Sequence, residues 1–331
     1  MTKLHEKSPC CRGKIWRLNG RRRQCSICGK TWRVWKRKRG RKKQRVCFNL
    51  LLSYLTNESG AMSKQALKKH ITPAGLQARM AQTVQAYNKE NSWPNPPGGE
   101  LIAVADAMIE YIRGMPHTIY FILLRAINSN KAVIMPFFVT IGIGEGSYGW
   151  NLAIQGIPAE VRTRIRVMVC DGVQALGAIA REEGWILQRC HFHLRARLFS
   201  FCSPRRFSKK PELGRHIQKL VEIVLSGRNE ENIQKAIEEL AMIKNEVSAR
   251  SFRTVLSGLT KHYADYRAYL RYPQYHIPCT SNSAEFMIGQ IRGLQYRARG
   301  FNSLKSLSSW IEAYCKFTKT ITCNGKISIP N

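Results

Sequence analysis

A mixed β-sheet flanked by helices, preceded by a basic cysteine-bearing ribbon and a pair of short helices, is the architecture these residues specify. Three features point to it. Strand-like segments at residues 101–105, 118–127 and 132–143 follow one another directly, which suggests an antiparallel meander. A fourth strand at 166–170 then leads into a helix at 173–183, and strand–helix alternation after a meander makes a mixed α/β sheet. In front of all this, Cys25-Ser26-Ile27-Cys28 is a C-x2-C turn followed by Gly29-Lys30.

Taken in order, residues 1–46 form the ribbon and a basic arm. They hold 18 Lys and Arg and a single acid, Glu6. Cys10 and Cys11 precede the Cys25–Cys28 turn by the distance two hairpins of a zinc ribbon would use. Adjacent cysteines seldom ligate one tetrahedral ion, so Cys10, Cys11 and His5 all stand as candidates beside Cys25 and Cys28 for a Zn²⁺ site. The bland alternative is unpaired thiols in a flexible arm. The arm itself, with Arg37, Lys38, Arg39, Arg41, Lys42 and Lys43, is a DNA-binding candidate.

Residues 47–92 read as helical. Ser63 is a candidate cap for one helix, and Thr72-Pro73 opens another, with Leu76, Met80, Val84 and Tyr87 at helical spacing. A helix-turn-helix or an ordinary helical hairpin would give this pattern. Residues 93–99, rich in Pro and Gly, read as a linker. Residues 100–204 and 271–322 carry the sheet and its last helices. Residues 205–270 read as a helical insertion, with Ile217, Leu220, Val221 and Val224 at helical spacing.

Charge narrows the partners. The chain has 54 Lys and Arg against 21 Asp and Glu in 331 residues, formally +33. Such an excess suits a polyanion, because each neutralised phosphate releases counterions. Eleven cysteines, an odd number behind a Lys- and Arg-rich start, suggest reduced thiols in an intracellular protein, and the expected location is cytoplasmic or nucleoid-associated. The apolar run 132–144 is too short for a bilayer and contains Pro136.

Three acids carry candidate chemistry. Asp106 follows the first strand, Asp171 follows the fourth, and Glu285 lies near the start of a helix. Three converging carboxylates can hold two Mg²⁺ or Mn²⁺ ions about 3.5–4 Å apart. Each also has a bland reading: Asp171 before Gly172 as a turn residue, Glu285 after Asn282 as part of a capping box, Asp106 bonding its own backbone. Cys190 and His193, in a C-x2-H, resemble half of a zinc site, or a buried Cys beside a His that donates near phosphates.

The run Val169-Cys170-Asp171-Gly172, then Cys190-x-x-His193, then Ser281-Asn282-x-x-Glu285 and Ile291-Arg292, resembles DDE transposases of the Mutator-like superfamily, of the bacterial and archaeal insertion-sequence type. Val104-Ala105-Asp106-Ala107 looks like that family's first catalytic Asp. Glu145 and Trp150 look like a segment between its first two acids, and Arg299-Gly300-Phe301 like its end. The resemblance implies a ribonuclease H-like fold with an insertion between the second Asp and the Glu. It implies catalysis and Mg²⁺ binding by Asp106, Asp171 and Glu285, and binding to terminal inverted repeats by a homo-oligomer on DNA. A transposase-derived DNA-binding protein with an inactive core is the alternative, and a structure-selective nuclease a third. Asp265, inside the insertion, is in the wrong context for a catalytic acid.

Overall fold

A computed structural model describes residues 7–8, 10–18, 22–33, 48–56, 58–202, 211–247, 249–298, 301 and 303–322. His5, the basic run holding Arg37, Lys38, Arg39, Arg41, Lys42 and Lys43, and Arg299-Gly300 lie outside the described residues. The chain forms two compact units, Met1–Phe48 and Asn49–Asn331.

The first unit is a three-stranded antiparallel sheet of β1 (Ile15–Arg17), β2 (Arg22–Cys25) and β3 (Thr31–Arg33), in that order. One tight turn precedes it and another joins β2 to β3. Arg12 and Gly29 both take positive φ, so the chain reverses directly after Cys11 and directly after Cys28.

The second unit opens with α1 (Phe48–Leu55), α2 (Met62–Lys68) and α3 (Pro73–Glu90). Thr72 caps α3 by accepting from the Gly75 N–H at 3.1 Å, with Pro73 at the first helical position. Ser63 is not a cap: α2 starts one residue earlier, and Ala61 at its cap makes no side-chain bond. Leu76, Met80, Val84 and Tyr87 are buried on one face of α3. That face packs against α14 (Leu304–Thr318), and the Asn88 side chain donates to the Ser309 carbonyl at 2.8 Å. The region expected as a separate helix-turn-helix at 47–92 is thus, from Asn49 onward, part of the same unit as the sheet. The expected linker is docked too. Trp93 stacks edge-on against Phe137, and Arg164 donates to the Pro97 carbonyl at 2.7 Å.

The main sheet has seven strands: β4 (Leu101–Ile112), β5 (Met115–Ala126), β6 (Lys131–Ile134), β7 (Phe138–Ile141), β8 (Ile165–Cys170), β9 (Ile186–Arg189) and β10 (Thr320–Thr322). Their order is β10-β6-β5-β4-β8-β9, with β7 beside β5. β4, β5 and β6 are antiparallel neighbours, whereas β8 and β9 run parallel to β4. Two expectations change. The strand read at 132–143 is two strands, broken at Pro136, which cannot donate to a ladder. The first strand does not end at Ala105. It continues through Asp106 to Ile112, because β5 pairs with it along its whole length.

Leu101, Ala103 and Ala105 face a core built with α4 (Ser147–Gln155), α5 (Ala159–Arg162) and α6 (Gln174–Glu182). By alternation Ile102, Val104 and Asp106 face the other way, toward α13 (Asn282–Ala298). Between them in sequence, α7 (His191–Cys202), α8 (Pro211–Ser226), α9 (Glu230–Glu246), α10 (Arg250–Lys261), α11 (Tyr263–Tyr266) and α12 (Ala268–Arg271) form the helical insertion. It has its own core, in which Leu194 and Leu198 of α7 pack with Ile217, Val221 and Leu256. The insertion therefore begins within α7, earlier than residue 205. No described helix is long and apolar enough to cross a membrane.

Candidate metal and acid sites

In the first unit the two turns bring the Sγ atoms of Cys10, Cys11, Cys25 and Cys28 within 4.8 Å of one another. Cys10 and Cys28 are 3.5 Å apart. The adjacency of Cys10 and Cys11 proves no obstacle, because the left-handed Arg12 folds both thiols back toward the second turn. Ser8 Oγ lies 3.0 Å from Cys25 Sγ, and with the backbone N–H groups of Cys28 and Ile27 it pulls that thiol down to about 6. The Cys28 sulfur holds Cys11 up to about 12. Four thiols this close cannot all ionise without a cation among them. Soft sulfur donors in this number suit a metal such as zinc.

In the second unit Val104 pairs with Val169 in the last step of the parallel ladder between β4 and β8. Asp106 and Asp171 each stand two residues beyond that step, so neighbouring strands deliver both carboxylates to one level. Asp106 remains inside the β4–β5 hairpin, opposite Phe121, at the point where its parallel neighbour has ended. Glu285 comes from the first turn of α13. Burial, with the negative charges of Asp171, Glu285 and Glu145 close by, pushes the Asp106 carboxyl up to about 7 against the lowering effect of the Ala107 N–H. Burial likewise raises Glu145, whose Oε1 accepts from Trp150 Nε1 at 2.9 Å.

Each acid of the trio has one oxygen fastened locally. Asp106 Oδ1 accepts from the Ala107 N–H at 2.8 Å, and Asp171 Oδ1 from the Val173 N–H at 3.0 Å. The backbone roles weighed for these two are therefore real, and they orient the carboxylates. Glu285 Oε1 accepts from Ser281 Oγ at 3.0 Å and from the Cys190 thiol at 3.7 Å. Gly172 makes the turn after Asp171 with φ near +93°, a conformation that L side chains rarely adopt.

Cys190 and His193 belong to this site. Cys190 follows β9, and its N–H donates to the Cys170 carbonyl at 2.7 Å. His193 Nδ1 lies 3.3 Å from Glu285 Oε1. His191, between them, has a different task. Its Nε2 donates to the Tyr266 carbonyl at 2.7 Å, fastening the insertion, and burial lowers its pKa to about 4. Asp265 pairs with Arg189 at 3.1 Å and stays outside the acid cluster, as its context suggested.

Two features escaped sequence reading. Arg197 of α7 approaches Asp171 Oδ2 at 3.5 Å. Beside Asp171 a cavity of about 670 Å³ opens toward α9 and α10, where Lys244 of α9 and Arg250, Arg253 and Lys261 of α10 join Arg189 and Arg197 in its lining. The only available signal was the helical spacing of Arg250 and Arg253, which is common on solvated faces. No protein-family model matches the chain, and no curated protein matches it.

Proposed function

We propose that the protein is a DNA transposase that cuts and joins phosphodiester bonds with divalent ions held by Asp106, Asp171 and Glu285. The observation that carries this reading is the convergence of three acids from β4, the end of β8 and α13, near enough that burial, and after it the charges of Asp171 and Glu285, push the Asp106 carboxyl up to about 7. Among the three acids Arg197 offsets charge at Asp171, the remaining carboxylates call for a further cation, and hard oxygen donors suit Mg²⁺ or Mn²⁺. Such ions would activate a water or 3′-hydroxyl and neutralise the leaving oxygen.

The strand order supports a ribonuclease H-like core: an antiparallel trio, β6-β5-β4, followed by the parallel β8 and β9, with the insertion between Asp171 and Glu285. The protein's own groups would hold the substrate. The cations around the cavity beside Asp171 fit the phosphates of a strand laid across the site, with Arg197 nearest to the reacting carboxylates. The cysteine cluster and the basic arm would bind the element's terminal repeats as a zinc ribbon, and α2–α3 would assist. Two ends must meet for joining, which favours a homo-oligomer on DNA. The inactive-core alternative is disfavoured by the presence of all three acids.

The test is strand cleavage and joining by the full chain, with Mg²⁺ or Mn²⁺, on duplexes carrying the repeats that flank its coding frame. Asp171→Asn and Glu285→Gln should abolish both steps while leaving DNA affinity intact. Cleavage by either variant at the wild-type rate would sink the assignment.

A further inference from the structure

Cys190, His193 and Glu285 bring a thiol, an imidazole nitrogen and a carboxylate oxygen within 4.8 Å of one another, on elements separate from the four-cysteine cluster. We propose that these three residues form a second site for a thiophilic divalent cation, with Zn²⁺ as its natural occupant. A thiolate with an imidazole and a carboxylate is a donor set for zinc, and three protein ligands leave a fourth position for water.

The spacing fits. Donors about 2.0–2.3 Å from a tetrahedral ion lie about 3.3–3.8 Å from each other. The edge from His193 Nδ1 to Glu285 Oε1 is 3.3 Å, and that from Cys190 Sγ to Glu285 Oε1 is 3.7 Å. His193 Nδ1 is also a buried nitrogen that makes no hydrogen bond, despite its closeness to Glu285. An unsatisfied buried nitrogen is destabilising, and a coordinated ion would remove that cost. The Ser281 N–H points at Cys190 Sγ from 3.3 Å, as the Ile27 N–H points at Cys25 Sγ from 3.4 Å. Each sulfur thus has a backbone donor that can orient it as a metal ligand, although burial raises the Cys190 thiol where it does not raise Cys25 on balance.

The site has a consequence for the acids, which rests on the function proposed above. All three contacts meet at Oε1 of Glu285, and no hydrogen bond among the described residues engages Oε2. Zinc on Oε1 would lock the carboxylate and leave Oε2 for the hard ion shared with Asp106 and Asp171. The C-x2-H then positions Glu285.

Metal counting on the purified full chain tests this without any cleavage assay. Two equivalents of zinc are expected, falling to one in Cys190→Ser, in His193→Ala and in Cys25→Ser. Zinc K-edge absorption on the wild type guards against a variant that fails to fold. It should report nitrogen or oxygen neighbours at about 2.0 Å beside sulfur at about 2.3 Å. One equivalent with sulfur neighbours alone, unchanged by Cys190→Ser, would overturn the site. That result would leave the carboxylate reading of Asp106, Asp171 and Glu285 standing. Two equivalents with no DNA cleavage would do the reverse.

Discussion

Replacing Asp106 with Asn should make the protein more stable at alkaline pH. The Asp106 carboxyl moves from 3.8 to about 7 on folding, chiefly through burial and then through Asp171, Glu285 and Glu145. A raised carboxyl favours folding while it is protonated. That contribution is complete at pH below 3.8 and is lost as pH rises through about 7. At about 1.4 kcal/mol per pH unit, the whole span is on the order of 4 kcal/mol, of which about 3 falls between pH 5 and pH 8. Asn keeps the shape and can still accept from the Ala107 N–H, but carries no charge to be buried. Denaturant unfolding of both proteins in metal-free buffer, at pH 5 and pH 8, measures the difference directly. The wild type should lose about 3 kcal/mol more than Asp106→Asn over that interval. Parallel behaviour of the two would refute the picture of Asp106 as a buried acid among like charges. Saturating Mg²⁺ at pH 8 should then close the gap, because an ion supplies the missing positive charge. A gap that persists would remove the hard-ion assignment and leave the carboxylate cluster intact.

Cys25→Ser should abolish metal binding by the first unit and, because some fifty residues bury too little to fold unaided, remove amide-exchange protection from β1–β3; protection in β4, β5 and β8 should be unchanged, since those strands belong to the other unit. Gly172→Ala should cost about 1–3 kcal/mol in thermal or denaturant unfolding, as expected for a non-glycine residue forced to φ near +93° beside the Arg189 side chain, and a variant as stable as wild type would contradict that geometry.

How much of this was legible in the sequence depends on where each element finds its partners. β4, β5 and β8 are long or strongly apolar, and α3 carries its own cap at Thr72, so local pattern sufficed for them. β9 was invisible. It has four residues, and two of them, Gln188 and Arg189, are buried and polar. Their burial makes sense only with groups some 75–80 residues further along: Gln188 bonds to the Tyr266 carbonyl and the Tyr269 N–H, and Arg189 pairs with Asp265. Local periodicity cannot anticipate such partners. The same holds for β10, three residues that become a strand by pairing with β6.

The acids show the same division more sharply. Asp106 reads as a strand terminus because it is the first charged residue after five apolar ones, yet the hairpin with β5 carries the strand six residues beyond it. Ending would have placed the carboxylate in a loop, free to move. Continuing fixes it in a pleat, facing α13, with its parallel neighbour already finished and Asp171 at the open end. A position inside one ladder and past the end of the other combines rigidity with access. The C-x2-H motif makes the complementary case. Cys190 and His193 were half of a site with no other half in view, because Glu285 lies more than ninety residues downstream and had already been given to the acids. The structure puts a single carboxylate beside both groups, with Oε1 toward sulfur and imidazole and Oε2 making no hydrogen bond among the described residues. Residues that sequence reading sorts into separate constellations converge on Glu285, which makes it the side chain whose loss should disturb the most.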